Sequence, residues 1–226
     1  MPVNISAYQS IQASLTKQQV TLVAVSKTKP QEELMELYTL GHRAFGENYV
    51  QELVDKEAAL PKDIQWHFIG HLQSNKVKYI APFVYMIHGV DSEKLLQEIN
   101  KQAIKQNRII DCLLQIHIAT EETKFGFDGP ALHEFLLSGR LSGYTNIRIR
   151  GLMGMASFSQ DQALLSHEFT TLKLYFDKAQ PAFPDGLFNT LSMGMSSDYA
   201  LAISKGSTMV RIGSLLFGVR NYPAKN

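Results

Sequence analysis

Apolar positions recur along this chain in two periods, and their alternation lays out its elements. Ile5, Tyr8, Ile11 and Leu15 stand at helical spacing and predict an amphipathic first helix. Residues 21–26, TLVAVS, read as a compact buried strand ending at Lys27. Pro30 then opens a helix at its first turn, with Gln31, Glu32 and Glu33 near the positive end of its dipole. Leu34, Leu37 and Leu40 form its core face, and Gly41 ends it. Further strands are predicted at 43–46, 64–69, 84–90, 109–119, 147–155, 190–193 and 208–212. Helices at about 47–60, 75–80, 92–106, 161–179 and from Pro130 separate them. Asp91 or Ser92 caps the helix that turns Leu95, Leu96, Ile99 and Ile104 inward. Ser196 or Ser197 is expected to cap a last helix ending at Gly206.

Strict alternation of strand and helix demands a parallel sheet, and no linker or low-complexity segment interrupts it. Eight such units fit a single-domain α/β fold over residues 1–226, a (β/α)8 TIM barrel with an N-terminal helix. The alternative is an open doubly wound sheet, but its triple-glycine dinucleotide turn is absent.

Apolar residues make up 45% of the chain, enough for a substantial core, and the net charge is +1. Lysines and arginines are scattered, which excludes the basic stripe of a nucleic-acid or anionic-membrane partner. The lone cysteine, Cys112, lies in the apolar run IIDCLLQIHIA and reads as a small buried hydrophobe in a reducing compartment. The N-terminus lacks a basic start followed by an apolar block, and no apolar stretch approaches a membrane span. A cytoplasmic protein is expected.

In such barrels the chemistry gathers in the loops after the strands, where this sequence puts Lys27, Asn48, Gly70-His71, Gly194 to Ser197 and Gly213-Ser214. The ends of the last two strands are the usual phosphate site, and Ser196 would add a hydroxyl at a helix N-terminus. Lys27 shares the inward parity of Val23 and Val25. A lysine there is costly unless paired or used, and desolvation raises the neutral, nucleophilic fraction that imine chemistry needs. It could equally bind phosphate. Arg211, inside the last strand, needs either a remote acid or a ligand. Amine, phosphate cradle and buried arginine together point to a phosphorylated aldehyde. Pyridoxal 5′-phosphate (PLP) has an aldehyde for Lys27, a phosphate for Ser196 and Gly213-Ser214, and a ring nitrogen for Arg211.

The segments AVSKTKP, FGENYVQE, WHFIGHLQSNK, RGLMGM, LSMGMSSD and GSTMVRIGSLLFG resemble the pyridoxal phosphate homeostasis protein family, PLP-binding barrels similar to the N-terminal domain of alanine racemase. The resemblance runs from Val20 to Arg220. It implies an internal aldimine on Lys27, Arg211 at the pyridine nitrogen, phosphate contacts from Ser196, Gly213 and Ser214, and Asn48 near the cofactor. Two departures stand in loops over the expected ligand: His71 replaces a usual proline, and TKFGF a Ser-Lys-Ser-Gly pattern.

PLP works best as an electron sink with its ring nitrogen protonated, and an arginine beside it disfavours that state. Racemisation also needs a second acid/base, which alanine racemase takes from a separate β domain, and this chain ends shortly after its eighth strand at NYPAKN. The expectation is therefore a non-catalytic monomer that binds PLP and buffers it or delivers it to apo-enzymes. The alternatives are a weak PLP-dependent racemase and a Schiff-base aldolase on a sugar phosphate, which leaves Arg211 unexplained. No metal is expected: His67 and His71 straddle a strand and turn, and His133-Glu134 and His167-Glu168 lack a second histidine of the zinc-protease pattern.

Overall fold

In the computed structural model, which describes residues 3–121 and 125–218, a first helix α1 (Ile5–Lys17) precedes a regular alternation. It runs β1 (Thr21–Val25), α2 (Gln31–Thr39), β2 (Ala44–Glu47), α3 (Val50–Ala59), β3 (Gln65–Phe68), α4 (Val77–Ile80), β4 (Met86–Val90) and α5 (Glu93–Lys105). The second half is β5 (Ile110–Ile116), α6 (Gly129–Leu137), β6 (Ile147–Gly154), α7 (Gln162–Ala179), β7 (Thr190–Ser192), α8 (Tyr199–Ser204), β8 (Met209–Ile212) and α9 (Ser214–Phe217). The strands pair in parallel in chain order, and β8 returns to β1 with Val23 opposite Arg211, closing the barrel.

Period-two alternation splits the apolar residues into two cores. Leu22, Ala24, Phe45, Trp66, Phe68 and their counterparts point outward and pack under the helices with Leu34, Leu37, Leu96 and Phe169. Val23, Met86, Leu113, Met153 and Met209 point inward and pack on one another inside the barrel. Each fully buried Leu, Ile or Phe contributes about 1.5–3 kcal/mol, so the outer core carries most of the stability. Cys112 is fully buried, and burial raises its thiol pKa, which keeps it inert.

Where β6 meets β5 the register slips between Cys112 and Leu113, and Gly151 takes a φ of +152° there. A Cβ on Gly151 would lie 1.8 Å from the Thr190 carbonyl oxygen, so no other residue fits.

Four expectations need correction. Leu40, read as part of the core face of α2, is the C-cap of that helix and exposed, and Leu34 and Leu37 carry the face without it. Ile104 is half-exposed, and the inner face of α5 is completed by Ala103 instead. α3 begins at Val50, while Glu47 is the last residue of β2 and fully buried. α8 begins at Tyr199 behind Asp198, so neither Ser196 nor Ser197 caps it. Asp198 Oδ1 accepts from the Met195 amide at 2.5 Å and folds residues 195–198 into a turn ahead of the helix. Among the described residues no helix is long and apolar enough to cross a membrane.

Candidate functional site

A cavity of about 650 Å³ opens at the carboxyl ends of the strands, and Lys27, Asn48, Ser196, Arg211, Gly213 and Ser214 all line it. They come from the ends of β1, β2, β7 and β8, so residues far apart in sequence converge on one space. Val25 continues the inward row of Val23 to the cavity floor with Lys27 beyond it, as strand parity requires. Ile69, Met155 and Leu215 supply apolar wall. Lys29 also reaches the cavity, but its Nζ donates to the Phe217 carbonyl and lies 3.9 Å from Glu33 Oε2.

The Asn48 backbone is held close to β3 because residue 70 is glycine: a Cβ there would come within 2.4 Å of the Asn48 carbonyl oxygen. The Asn48 side-chain Oδ1 is buried and has no hydrogen-bond partner among the described residues. An orphaned acceptor on a cavity wall is costly unless a ligand donor meets it.

Arg211 is only 4% exposed. Its Nη1 donates to Ser192 Oγ at 2.6 Å and to the Ser192 carbonyl at 2.9 Å, and Nη2 to the Gly154 carbonyl at 3.0 Å. Among the described residues no carboxylate lies within ion-pair distance of it. Burial lowers its pKa to about 10 against the opposing pull of the Asp198 charge, so it remains a cation at neutral pH.

From Arg211 a polar chain crosses the barrel interior. Ser192 Oγ lies 3.2 Å from His88 Nδ1, and His88 Nε2 lies 2.9 Å from His67 Nδ1. An arginine can only donate, so Ser192 accepts from it and passes its own proton toward His88. His88 then donates from Nε2 to His67, which leaves the His67 proton on Nε2, a buried atom without a hydrogen-bond partner among the described residues. Burial pushes the His67 pKa down to about 3, and burial, helped by the Arg211 charge, holds His88 well below its ordinary value. Both rings are neutral, and Arg211 is the cation of this polar row.

Beyond the ends of β7 and β8 Ser196 Oγ accepts from the Gly213 amide at 3.2 Å, and Ser214 begins α9. The Ser196 hydroxyl proton remains available to an acceptor in the cavity. This pair, at the start of α9 and not of α8, is what β7 and β8 present to an anion.

The remaining histidines part company. His71 stands on the rim, its Nδ1 3.0 Å from Asp91 Oδ2 and its ring stacked on Phe125 with centroids 4.1 Å apart. The two departures from the family pattern thus touch each other, although Thr123 and Lys124 of TKFGF lie outside the described residues, as does NYPAKN. Among the described residues no group of histidine, cysteine or carboxylate side chains could hold a metal. A second depression of about 430 Å³ lies at the other end of the barrel, but its cation Arg43 is paired with Asp63 and its His42 bonds the Ala44 carbonyl.

Sequence reasoning missed His88 and Ser192 and the link of His67 to them, for which the only signal was inward parity on three separate strands. It also missed Glu47 and Lys56, a buried pair beneath the turn that carries Lys27.

Comparison with known proteins gives a consistent picture. The sequence model of the family described as "Alanine racemase, N-terminal domain" matches residues 6–221. The pyridoxal phosphate homeostasis protein of Pasteurella multocida is 40% identical over 214 residues, covering 93% of this chain and 91% of that one. PipY of Synechococcus elongatus PCC7942, solved without PLP, has a TM-score of 0.88 at 35% identity over 94% of this chain and 99% of its own. The same protein with PLP bound has a TM-score of 0.80 at 36% identity over 92% and 98%.

Proposed function

The chain belongs to the pyridoxal phosphate homeostasis protein family, within the wider family of the alanine racemase N-terminal domain, and from that premise we propose that it binds PLP in the 650 Å³ cavity and serves cellular PLP homeostasis without turning over amino acids. PLP supplies an aldehyde, which condenses with a primary amine with loss of water, together with a phosphate dianion and a pyridine nitrogen. Lys27 provides the amine. The Ser196 hydroxyl and Ser214 take the phosphate, with the Gly213 amide holding the Ser196 oxygen beside it, Asn48 Oδ1 accepts from a donor on the ligand, and Arg211 meets the ring nitrogen. The observation that carries this reading is the convergence of an amine, a held cation, two hydroxyls and an orphaned acceptor on one cavity.

The non-catalytic part of the reading rests on Arg211. A guanidinium locked by Ser192 and Gly154 cannot accept a proton from the ring and disfavours a pyridinium beside it, so carbanion chemistry is poorly supported. The same reading takes the protein to be a cytoplasmic monomer that gives up its cofactor to apo-enzymes. The test is to load the protein with PLP, follow L- and D-amino acids by chiral chromatography, and follow reactivation of an added apo-enzyme in parallel. Cofactor transfer with no turnover is expected. Turnover at about 1–1000 per second, lost in Lys27→Ala, would instead make the protein an enzyme.

A further inference from the structure

Thr28, next to Lys27, has a φ of +63°. Few non-glycine residues adopt this left-handed conformation, and a β-branched one there is strained. Such strain persists only where the surroundings enforce it, and it concentrates at functional sites. Here the enforcing groups can be named.

The Thr28 amide donates to Glu52 Oε1 at 2.6 Å. On the other side of Lys27, the Ser26 carbonyl accepts from Lys56 Nζ at 2.7 Å, and the Ser26 hydroxyl donates to Glu47 Oε1 at 2.6 Å. Lys56 Nζ completes the cluster with Glu47 Oε1 and Glu52 Oε1, each at 2.7 Å. The three ammonium protons thus go to one backbone carbonyl and two carboxylates. The residues on both sides of Lys27 are gripped, and the turn is closed by the Lys29 amide on the Ser26 carbonyl at 3.0 Å.

Ser26, Glu47 and Lys56 are almost wholly buried. Burying an ion pair contributes little net stability compared with apolar side chains of similar volume. A leucine on α3 facing an apolar residue on β2 would satisfy the fold, so the cluster calls for another explanation. Its contacts go to the two residues flanking a single lysine.

We propose that Glu47, Glu52 and Lys56 are positioning residues that hold the Ser26–Thr28 backbone in its strained turn and so fix the direction in which Lys27 enters the cavity. The proposal rests on the reading that Lys27 is the amine that takes up PLP. None of the three touches the cavity; they act through the backbone.

The experiment measures the rate at which the borohydride-reducible bond to Lys27 forms after PLP is added to cofactor-free protein. Lys56→Met is the direct variant, and Glu52→Ala is the safer one, because Glu52 is 23% exposed and sits in the first turn of α3. Misplacing a reacting group by about 1 Å can cost on the order of 100-fold, so a slowing of about ten- to 100-fold is expected. Binding of pyridoxine 5′-phosphate, which has no aldehyde, should be unchanged. Glu52→Gln keeps an acceptor for the Thr28 amide and should react like wild type. Thr28→Asn, which tolerates the left-handed conformation, should restore the rate when added to Glu52→Ala.

A folded Glu52→Ala protein that reacts at the wild-type rate overturns the proposal and leaves the PLP reading standing. So does a slowing that Thr28→Asn fails to repair, since a merely structural cluster would act that way. If wild type forms no bond at Lys27, the PLP reading fails instead. Trace acetylation of Lys27 in cofactor-free protein then decides the proposal: altered labelling in Glu52→Ala supports it, and equal labelling overturns it.

Discussion

Lys27 and Lys29 are two residues apart, yet the fold gives their amines different employment. Lys29 Nζ is tied to the Phe217 carbonyl and stands beside Glu33, while Lys27 follows the inward row of β1 into the cavity. Borohydride reduction of the PLP-loaded protein followed by peptide mapping should therefore mark Lys27 and spare Lys29. A label on Lys29, or on any third lysine, would displace Lys27 from its role. The anion end gives an independent prediction at the same scale. Charge-assisted hydrogen bonds contribute about 1.5–3 kcal/mol each, so Ser196→Ala should weaken PLP binding about ten-fold or more. Pyridoxal, lacking the phosphate, should bind wild type poorly, and equal affinity for the two vitamers would rule out a phosphate site at Ser196 and Gly213. These residues were legible in the sequence for a physical reason. A charged or hydroxyl side chain at the inward end of an apolar strand has no place in a core, so Lys27, Arg211 and Ser214 stood out. His67, His88 and Ser192 lie inside β3, β4 and β7, and their contacts span 21 and 104 residues of sequence, so no local pattern could join them.

Among the elements, strands were easier to read than helix starts. A short apolar run bounded by glycine, proline or a charge can hardly be anything else in an alternating chain, and every predicted strand formed. The starts of α3 and α8 were misread for a shared reason. Polar residues before an apolar helix usually serve its exposed amides, but the Glu47 carboxylate turns to Lys56 and Ser26. Ser196 turns to the Gly213 amide, and Asp198 to that of Met195. Tertiary partners thus took Ser196, which local reasoning assigned to a cap, and Glu47, which it placed at the start of a helix. Ile104 shows a different failure. It stands near the inner face of α5, but the adjacent Ala103 occupies the contact, and the larger side chain is left 52% exposed. The difference can be measured by urea unfolding. Leu96→Ala, at a fully buried position, should cost about 2–5 kcal/mol, whereas Ile104→Gln should stay within about 0.5 kcal/mol. A large loss at position 104 would restore the original reading of the helix.

The molecule as a whole buries three neutral histidines, one at the amino end of the barrel and two within it. His42 lies edge-on between Tyr8 and Phe45, and burial lowers its pKa to about 4. Its imidazole is free to protonate near pH 6.5 in the unfolded chain but stays neutral in the folded one until about pH 4. Between those values the unfolded state binds more protons, so the contribution of His42 is full above about pH 6.5 and is lost as the pH falls toward 4. His67 and His88 act in the same sense. Glu47 and Asp198 act against them: burial raises their folded pKa values, so their contributions are full at low pH and fade as the pH rises through those values. The total pH dependence is therefore a sum of opposing terms, and a difference between two proteins isolates one of them. His42→Phe keeps an aromatic ring in the same stack and removes the titration. Its unfolding free energy, measured in urea from about pH 4.5 to 6.5, should rise less steeply with pH than that of wild type. The slopes should differ most at about pH 5 to 5.5, approaching but not exceeding the roughly 1.4 kcal/mol per pH unit of one full proton. Parallel curves would mean that His42 protonates in the folded protein as readily as in the unfolded chain, and that this end of the barrel is far wetter than its packing indicates.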